Sequence, residues 1–358
     1  MRARLDPISA IESCYGPAAE EGGWLEGLLG ALRPLDQGLG LYSFSFALRP
    51  AGLILQAVRV TGKVADPAML HEATKSWQGA PPDVLRAMFA SAPPVDFSIR
   101  RAARISLDAA RAVAETYRRS GARDCLGIMA AEPEGGGVLV GVQIPRGRAA
   151  PAAPTRRVLA GVAAHLSTAL RLRRAAGSTS PGDPSTEAIL DPSARVQHAE
   201  GEARPAASRA SLAEAVQHRE RARGRLRRAD PEEAVGLWRG LVDGTWSLVD
   251  FHESDGRRLV LARRNPPRVE DPAALRPRER QVLAFARLGH SNKYIAYLLG
   301  LATGTVSAHL ESARRKLRLP SRAALIQVYG GSPAGGSNGA TGAREPGLAP
   351  PEPRDRGS

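Results

Sequence analysis

The sequence NKYIAYLLGLATGTV occupies residues 292–306, near the C-terminal end of the chain. It places Ala296, Gly300 and Val306 at fixed spacings within two segments of helical periodicity. A small residue lets two helices cross closely, a glycine accepts the positive φ of a sharp turn, and a β-branched residue fills the angle between the helices. The stretch therefore predicts a helix-turn-helix, whose second helix enters the major groove of DNA.

The charge around this stretch points to a polyanionic partner. Residues 275–330 hold ten Lys or Arg and only two acidic residues, Glu279 and Glu311, which gives the segment a net charge of +8. The whole chain of 358 residues has a net charge of +14, so more than half of the excess lies in this one segment. The general preference of the chain for Arg over Lys does not explain why acids are scarce here. Local concentration of positive charge favours a nucleic-acid-binding surface.

The segment LRPRERQVLAFARLGHSNKYIAYLLGLATGTVSAHLESARRKLRLPSRAALIQVY, residues 275–329, resembles the LuxR-type (FixJ/NarL-type) DNA-binding domain over its whole length and without a gap. The matching positions are Leu275, Pro277, Arg278, Glu279, Val282, Leu283, Gly289, Asn292, Lys293, Ile295, Ala296, Leu299, Gly300, Thr305, Val306, His309, Lys316, Leu317, Ser321 and Arg322. The resemblance implies an all-α four-helix domain whose third helix, about residues 303–318, lies in the major groove.

The resemblance also implies which side chains read the bases. By the family's pattern they are Ser307, Ala308 and Glu311, whereas the family usually has Lys at position 307 and a polar or basic residue at position 311. A serine hydroxyl donates or accepts, an alanine contacts a thymine methyl group, and a glutamate accepts from cytosine N4. We therefore expect a base preference unlike that of a site read by two lysines. The usual Ser at the start of the helix is Ala302 here, and Thr303 is expected to cap the helix instead.

Two further groups of residues in this domain carry expected roles. Cations and hydrogen-bond donors along the third helix and its neighbours are expected to contact the DNA backbone. These are Lys293, Thr305, His309, Arg314, Arg315, Lys316 and Arg322. The residues expected to shape the helix-turn-helix itself are Glu279, Ile295, Ala296, Gly300, Val306, Leu310 and Leu317.

The N-terminal region, residues 1–176, alternates strand pairs with helices, which predicts an α+β sensor domain with an antiparallel sheet, similar to GAF and PAS domains. A long helix is expected over residues 155–176, with an apolar stripe that includes Val158 and Leu166. This stripe either covers the sheet or pairs with a second copy of the chain.

The composition of the rest of the chain predicts three further segments. Residues 177–186 are rich in Gly, Ser and Pro, which predicts a linker. Residues 187–266 are predicted to form a second α+β domain, PAS-like in its order of strand, strand, helix and hairpin. The HTH domain is predicted over residues 267–329 and a disordered tail over residues 330–358, which contain almost no large apolar residue.

Several classes of protein are not supported by the sequence. No apolar run reaches the roughly 18–20 residues of a membrane helix, and the N-terminus lacks a signal-peptide core, so a soluble cytoplasmic protein is expected. The two cysteines, Cys14 and Cys125, form no CxxC pair, and the seven histidines are scattered, so no metal site and no cofactor are expected. No HExxH or P-loop motif occurs, and we predict no catalytic residue.

Together these patterns predict a cytoplasmic transcription regulator, not an enzyme, that binds double-stranded DNA sequence-specifically as a homodimer under the control of its N-terminal domains. RNA polymerase is a further candidate partner, no membrane association is expected, and the sequence names no small-molecule ligand. One alternative is a signal-binding or protein-interaction module with only non-specific DNA affinity. The other is an enzyme fused to a DNA-binding domain.

Overall fold

Two antiparallel sheets with helices precede an all-helical C-terminal region in the computed structural model of the chain. The predicted fold class, an α+β region with an antiparallel sheet followed by a helical HTH region, is confirmed. The predicted linker over 177–186 and tail over 330–358 lie mostly outside the described residues. The residues that the structure describes are 4–16, 20–49, 52–62, 77, 80–89, 93–132, 135–175, 183–265, 275–317 and 319–330.

The first sheet has five strands in the order β2-β1-β5-β4-β3, and all neighbouring strands are antiparallel. Its strands are β1 Leu41–Arg49, β2 Gly52–Val60, β3 Val95–Phe97, β4 Ala122–Ala131 and β5 Gly136–Pro145. The helices around it are α1 Pro7–Cys14, α2 Glu21–Leu32, α3 Pro82–Phe89, α4 Ser98–Ala103, α5 Leu107–Arg119 and α6 Ala153–Ala175. Ser106 caps helix α5, because its hydroxyl accepts from the backbone N–H of Ala109 at 3.0 Å.

The alternation of side chains along the strands gives this sheet two differently covered faces. Tyr42, Phe44 and Phe46 of β1 lie on one face, against helices α3 and α5. Leu126 and Ile128 of β4 lie on the other face, against helices α1, α2 and α6. Helices α5 and α6 therefore lie on opposite sides of the sheet.

Helix α6 is the centre of the molecule rather than a surface helix. It packs on strand β4 with its predicted stripe and is covered on its other sides by helix α1 and by helices of the two later regions. His165 and Thr168, which lie off the stripe, are fully buried, and Ser167 is 3% exposed. The apolar stripe of α6 therefore covers the sheet and is not free to pair with a second copy.

The middle region folds around a second antiparallel sheet in the order β7-β6-β9-β8. Its elements are β6 Thr186–Leu190, β7 Val196–Ala199, α7 Ala206–Arg221, a π-helical turn Ala222–Leu226, α8 Arg227–Ala229, α9 Pro231–Leu237, β8 Trp246–His252 and β9 Arg258–Arg264. A hairpin turn at Asp255 and Gly256 connects the last two strands, and Gly256 has a φ of +83°.

The C-terminal region consists of four helices: α10 Pro277–Arg287, α11 Asn292–Leu299, α12 Thr303–Lys316 and α13 Arg322–Gly330. Helix α12 packs across α10, α11 and α13. Its side chains Val306, Leu310 and Ala313 are buried, as expected for one apolar stripe of a surface helix. The other faces of α12 stay open to solvent.

Candidate DNA-binding site

The turn between helices α11 and α12 combines a side-chain cap with a left-handed glycine. Ser291 caps α11 by accepting from the backbone N–H of Tyr294 at 3.2 Å. Gly300 ends that helix with φ of 64° and ψ of 34°, the left-handed conformation that suits glycine. Ile295 and Ala296 are buried on the inner face of α11, and Leu317 is half-buried at the end of α12. The second helix is thereby held across the first with one long face in solvent.

The start of helix α12 differs from the expectation. Thr303 is the first helical residue and does not cap, because the capping position belongs to Ala302, which has no side-chain oxygen. The carbonyl of Thr303 instead accepts from the Ser307 hydroxyl at 3.2 Å. Helix α12 thus begins without a side-chain cap.

Restoring the missing cap should stabilise the domain. In Ala302→Ser the new hydroxyl can accept from a free N–H of the first turn, which contributes about 1 kcal/mol to the free energy of unfolding. Denaturant titration of the two chains measures the difference. Ala302→Val is the control: it adds a side chain without an acceptor and should give no gain, so a gain in both variants would contradict the capping explanation.

The three expected base-reading residues lie together on the open face of α12. Ser307, Ala308 and Glu311 are all exposed. The Glu311 carboxylate accepts from Arg314 Nε at 2.8 Å and from Arg314 Nη2 at 2.6 Å. This hydrogen bonding lowers the pKa of Glu311, so at neutral pH the side chain is ionised and acts only as an acceptor.

Asn292 links the recognition face to the rest of the domain, a role that the sequence pattern does not predict. Its Nδ2 donates to the Ser307 hydroxyl at 2.9 Å, and its Oδ1 accepts from Arg322 Nη2 at 2.7 Å. A chain of hydrogen bonds therefore runs from Arg322 to the first turn of α12. Asn292 appears among the positions that match the family, but its partners become visible only when α11, α12 and α13 meet.

The expected backbone-contacting residues fall into two groups. Lys293, Thr305, Arg315 and Arg322 are exposed, and His309 is half-buried. Arg314 and Lys316 are held more firmly by intramolecular bonds than Arg322, which donates to Asn292, or Arg315, which lies 3.9 Å from Glu311. Arg314 bonds Glu311 and also donates to the Leu319 carbonyl at 2.7 Å.

The Lys316 ammonium holds the domain together. It lies 2.8 and 2.7 Å from the two carboxylate oxygens of Glu279, which is 3% exposed. Glu279 also accepts from the Arg276 N–H and the Ser312 hydroxyl, each at 2.8 Å. Burial by itself raises the pKa of Glu279, but these hydrogen bonds, first that of Lys316, outweigh it and lower the pKa. Lys316 therefore ties α12 to α10 through a buried carboxylate.

The opposite face of the HTH region is docked on the remainder of the chain, residues 4–265, which we call the body. Tyr297 of α11 carries this contact. Its hydroxyl lies 2.7 Å from the Val235 carbonyl and 3.0 Å from His165 Nε2. The other ring nitrogen of His165, Nδ1, lies 2.9 Å from the Tyr15 hydroxyl. His165 thus joins helices α1, α6 and α11 at one buried point.

A second part of the docked interface is backbone against backbone. A Cβ atom placed on Gly300 would lie 1.8 Å from the carbonyl oxygen of Leu241, so only glycine fits the turn in this arrangement. Nearby, Arg278 Nη2 donates to the Thr245 hydroxyl at 2.8 Å. The guanidinium of Arg171 lies 5.7 Å from the ring centroid of Phe285. The turn of the HTH therefore serves both its own fold and the contact with the body.

The burial of His165 should make the stability of the chain pH-dependent. Burial lowers the pKa of His165 to about 3, whereas an unfolded histidine has a pKa of about 6.5. Between these values the unfolded state binds the proton and the folded state does not, so the free energy of unfolding falls as pH falls, by up to about 1.4 kcal/mol per pH unit from this residue. Wild type and His165→Gln are compared by denaturant titration from pH 7 to about pH 5. We expect a flatter profile for the variant; parallel profiles would show that His165 is protonated equally in both states.

Two absences are noted for the described part of the chain. Within it, no helix combines the length and the apolar character that crossing a membrane requires. Nor do its His, Cys, Asp and Glu side chains form a group of three that could hold a metal ion.

Residues 273–329 match the protein family described as "Bacterial regulatory proteins, luxR family". YhjB of Escherichia coli (strain K12), whose name describes an HTH-type transcriptional regulator, is 43% identical over 54 residues, which cover 15% of this chain and 27% of that protein. The transcriptional regulatory protein MctR of Rhizobium johnstonii is 39% identical over 61 residues, or 17% of this chain and 28% of that protein. The chain thus spans little more than a quarter of the length of either relative.

A crystal structure of Escherichia coli SdiA aligns with 88% of this chain and 92% of its own, at 10% identity and a TM-score of 0.28. That score is too low to assign a common fold to the body. The family match covers the helices that surround the turn at Gly300 and the open face of α12. Residues 273–329 of this chain therefore form a LuxR-family helix-turn-helix domain.

Proposed function

We propose that the chain is a sequence-specific transcription regulator whose helix α12 reads promoter DNA in the major groove. One observation carries the proposal: α12 presents Ser307, Ala308 and Glu311 to solvent while the domain is held by its opposite face. An open helix face flanked by cations is what a duplex needs for access. The whole protein is cytoplasmic in this proposal and acts as a homodimer, which places two recognition helices on one site.

The proposed contacts divide by chemistry. Lys293, Thr305, Arg315 and Arg322 bind phosphates, because these side chains are exposed around the edges of α12. Glu311, ionised and exposed, accepts from cytosine N4, and Ala308 contacts a thymine methyl group. Ser307 is oriented by Asn292, which fixes the direction of its lone pairs. We assign Arg314 to positioning Glu311, and Lys316 to the link with Glu279.

Control by the body is the second part of the proposal. The buried contacts of Tyr297 with Val235 and His165 connect the DNA-reading domain to the first sheet through helix α6. A change in the packing of α6 against the sheet would therefore move α11, and with it the recognition helix. Coupling of this kind requires a packed element shared by both sites, and α6 is such an element.

Exchanging the proposed base-reading glutamate should change sequence preference. For Glu311→Ala we expect selection from random DNA to return a site altered at one base-pair position, where discrimination falls by about 1–3 kcal/mol. Lys293→Gln is the comparison: it should weaken binding to all sequences and leave the selected site unchanged. The same selected site for wild type and Glu311→Ala would remove Glu311 from the base-reading set.

One observation favours a second function, a domain with only non-specific DNA affinity. Ser307 is already bonded to Asn292 and Thr303, and Glu311 to Arg314, so neither side chain is free of intramolecular partners. Binding would then rest on phosphates and fall steeply with salt for every sequence alike.

A further inference from the structure

A concentrated basic segment lies outside the HTH domain, at the end of helix α7. Residues 221–228 contain five arginines: Arg221, Arg223, Arg225, Arg227 and Arg228. Three of them are paired. Arg221 lies 2.9 Å from Glu233, Arg223 lies 2.7 Å from Glu12, and Arg227 binds Asp6. Arg225 and Arg228 are exposed, and neither has an acidic partner among the described residues.

The backbone displays these two side chains in an unusual way. The chain kinks within Ala222–Leu226, because Gly224 departs from helical geometry with φ of −73° and ψ of −146°. An open groove results, lined by Arg223, Gly224, Arg225, Arg227, Arg228 and Ala229.

The groove lies next to the DNA-reading domain. The pairing of Arg221 with Glu233 places it beside the first turn of helix α9. In that turn, Glu232 binds Arg157 at 2.8 and 3.1 Å. Val235 of the same helix accepts from the Tyr297 hydroxyl of α11 at 2.7 Å. Helix α9 therefore connects the basic groove to helix α11, whose first turn carries the proposed phosphate contact Lys293.

Most of the acids at the start of α9 are paired. Glu232 is paired with Arg157 and Glu233 with Arg221, while Asp230 caps α9 by accepting from the Glu233 N–H at 2.9 Å. Pairing offsets the charge of the two glutamates, and Asp230 keeps its charge. Arg225 and Arg228 bring two positive charges against this one acid, so the excess charge beside α9 is positive.

We propose that Arg225 and Arg228 form a second phosphate-binding surface, which contacts DNA that flanks the sequence read by helix α12. This proposal rests on the proposed DNA-binding function and extends its interface to the middle region. Guanidinium groups suit the role, because their planar donors bind phosphate oxygens in pairs and stay charged at any physiological pH. Helix α9 connects the groove to the helix that carries Lys293, and this favours the DNA backbone as the partner over an unrelated anion.

The test measures binding of the full chain to a mixed-sequence duplex of about 40 base pairs over a series of NaCl concentrations. Arg225→Gln with Arg228→Gln should lower the affinity about tenfold and reduce the slope of log K against log salt by about 1.8, since each lost phosphate contact removes about 0.9. Arg225→Lys with Arg228→Lys keeps the charge and should retain most of the slope.

The matched control removes two exposed arginines elsewhere. Arg111 and Arg119, whose side chains are 78% and 76% exposed, lie on helix α5, across the first sheet from α6. Arg111→Gln with Arg119→Gln changes the net charge equally and should leave the affinity within about twofold. Two results would overturn the second surface while leaving the HTH function intact. One is an equal loss of DNA affinity in the control and in Arg225→Gln with Arg228→Gln, and the other is an unchanged salt slope for the latter variant. Absence of DNA binding by the wild-type chain would overturn both.

Discussion

Gly300→Ala is expected to lower the free energy of unfolding of the full chain by about 2–4 kcal/mol. Two costs add. The left-handed backbone at φ of 64° disfavours any residue with a Cβ by about 1–2 kcal/mol. The new methyl group would also lie 1.8 Å from the Leu241 carbonyl oxygen, which forces the HTH domain and the body apart. Denaturant titration followed by tryptophan fluorescence measures the loss, because Trp238 lies at the docked interface.

Gly289→Ala separates the two costs. Gly289 lies in the same domain with φ of +81°, and a Cβ there would meet no atom within 4 Å. This variant carries the backbone cost alone and should lose only about 1–2 kcal/mol. If the two variants lost the same amount, the close contact between Gly300 and Leu241 would not exist in the folded chain, and control of the HTH domain through this interface would lose its support.

Glu279→Ala is expected to lower the free energy of unfolding by about 3 kcal/mol. Because this loss disrupts the fold of the HTH domain, DNA binding should be abolished too. The carboxylate is buried and accepts hydrogen bonds from Lys316, Ser312 and the Arg276 N–H. Its removal leaves three donors without their acceptor, one of them charged. Thermal unfolding and DNA binding of the same preparation measure both effects.

Glu311→Ala is the control for this loss. Glu311 is also bonded to a cation of the same domain, but its side chain is 51% exposed, against 4% for Glu279. Exposed pairs of this kind contribute little, so the stability should change by less than about 0.5 kcal/mol. A similar cost for both substitutions would show that Glu279 does not anchor α12 to α10.

The sequence was sufficient for elements whose pattern is local. Helical spacing, a glycine at the turn and the match to a known family predict the four C-terminal helices and the open face of α12. The apolar stripe predicts helix α6, because its residues repeat along one side. The stripe does not predict that His165, on another side of the helix, is buried. The residues that cover His165 are Tyr15 and Tyr297, which are 150 and 132 positions away in the chain.

The same limit applies to the charged residues of the site. Lys316 follows the family pattern, and the sequence predicts that it contacts a phosphate. Its partner Glu279 lies 37 residues earlier, and only the crossing of α10 and α12 brings them together. Asn292 and Ser307 meet for the same reason across the turn. Helical periodicity tells which face a residue occupies, whereas pairing across helices depends on the packed domain.

Competition between two duplexes decides whether this chain reads a DNA sequence, as we propose. One duplex carries the sequence selected by the full chain from random DNA, and the other carries the same bases in scrambled order. We expect the full chain to bind the selected duplex at least about 1,000-fold more tightly at physiological salt. Equal affinity for both duplexes, falling steeply with salt, would contradict sequence reading and leave a domain that binds phosphates alone.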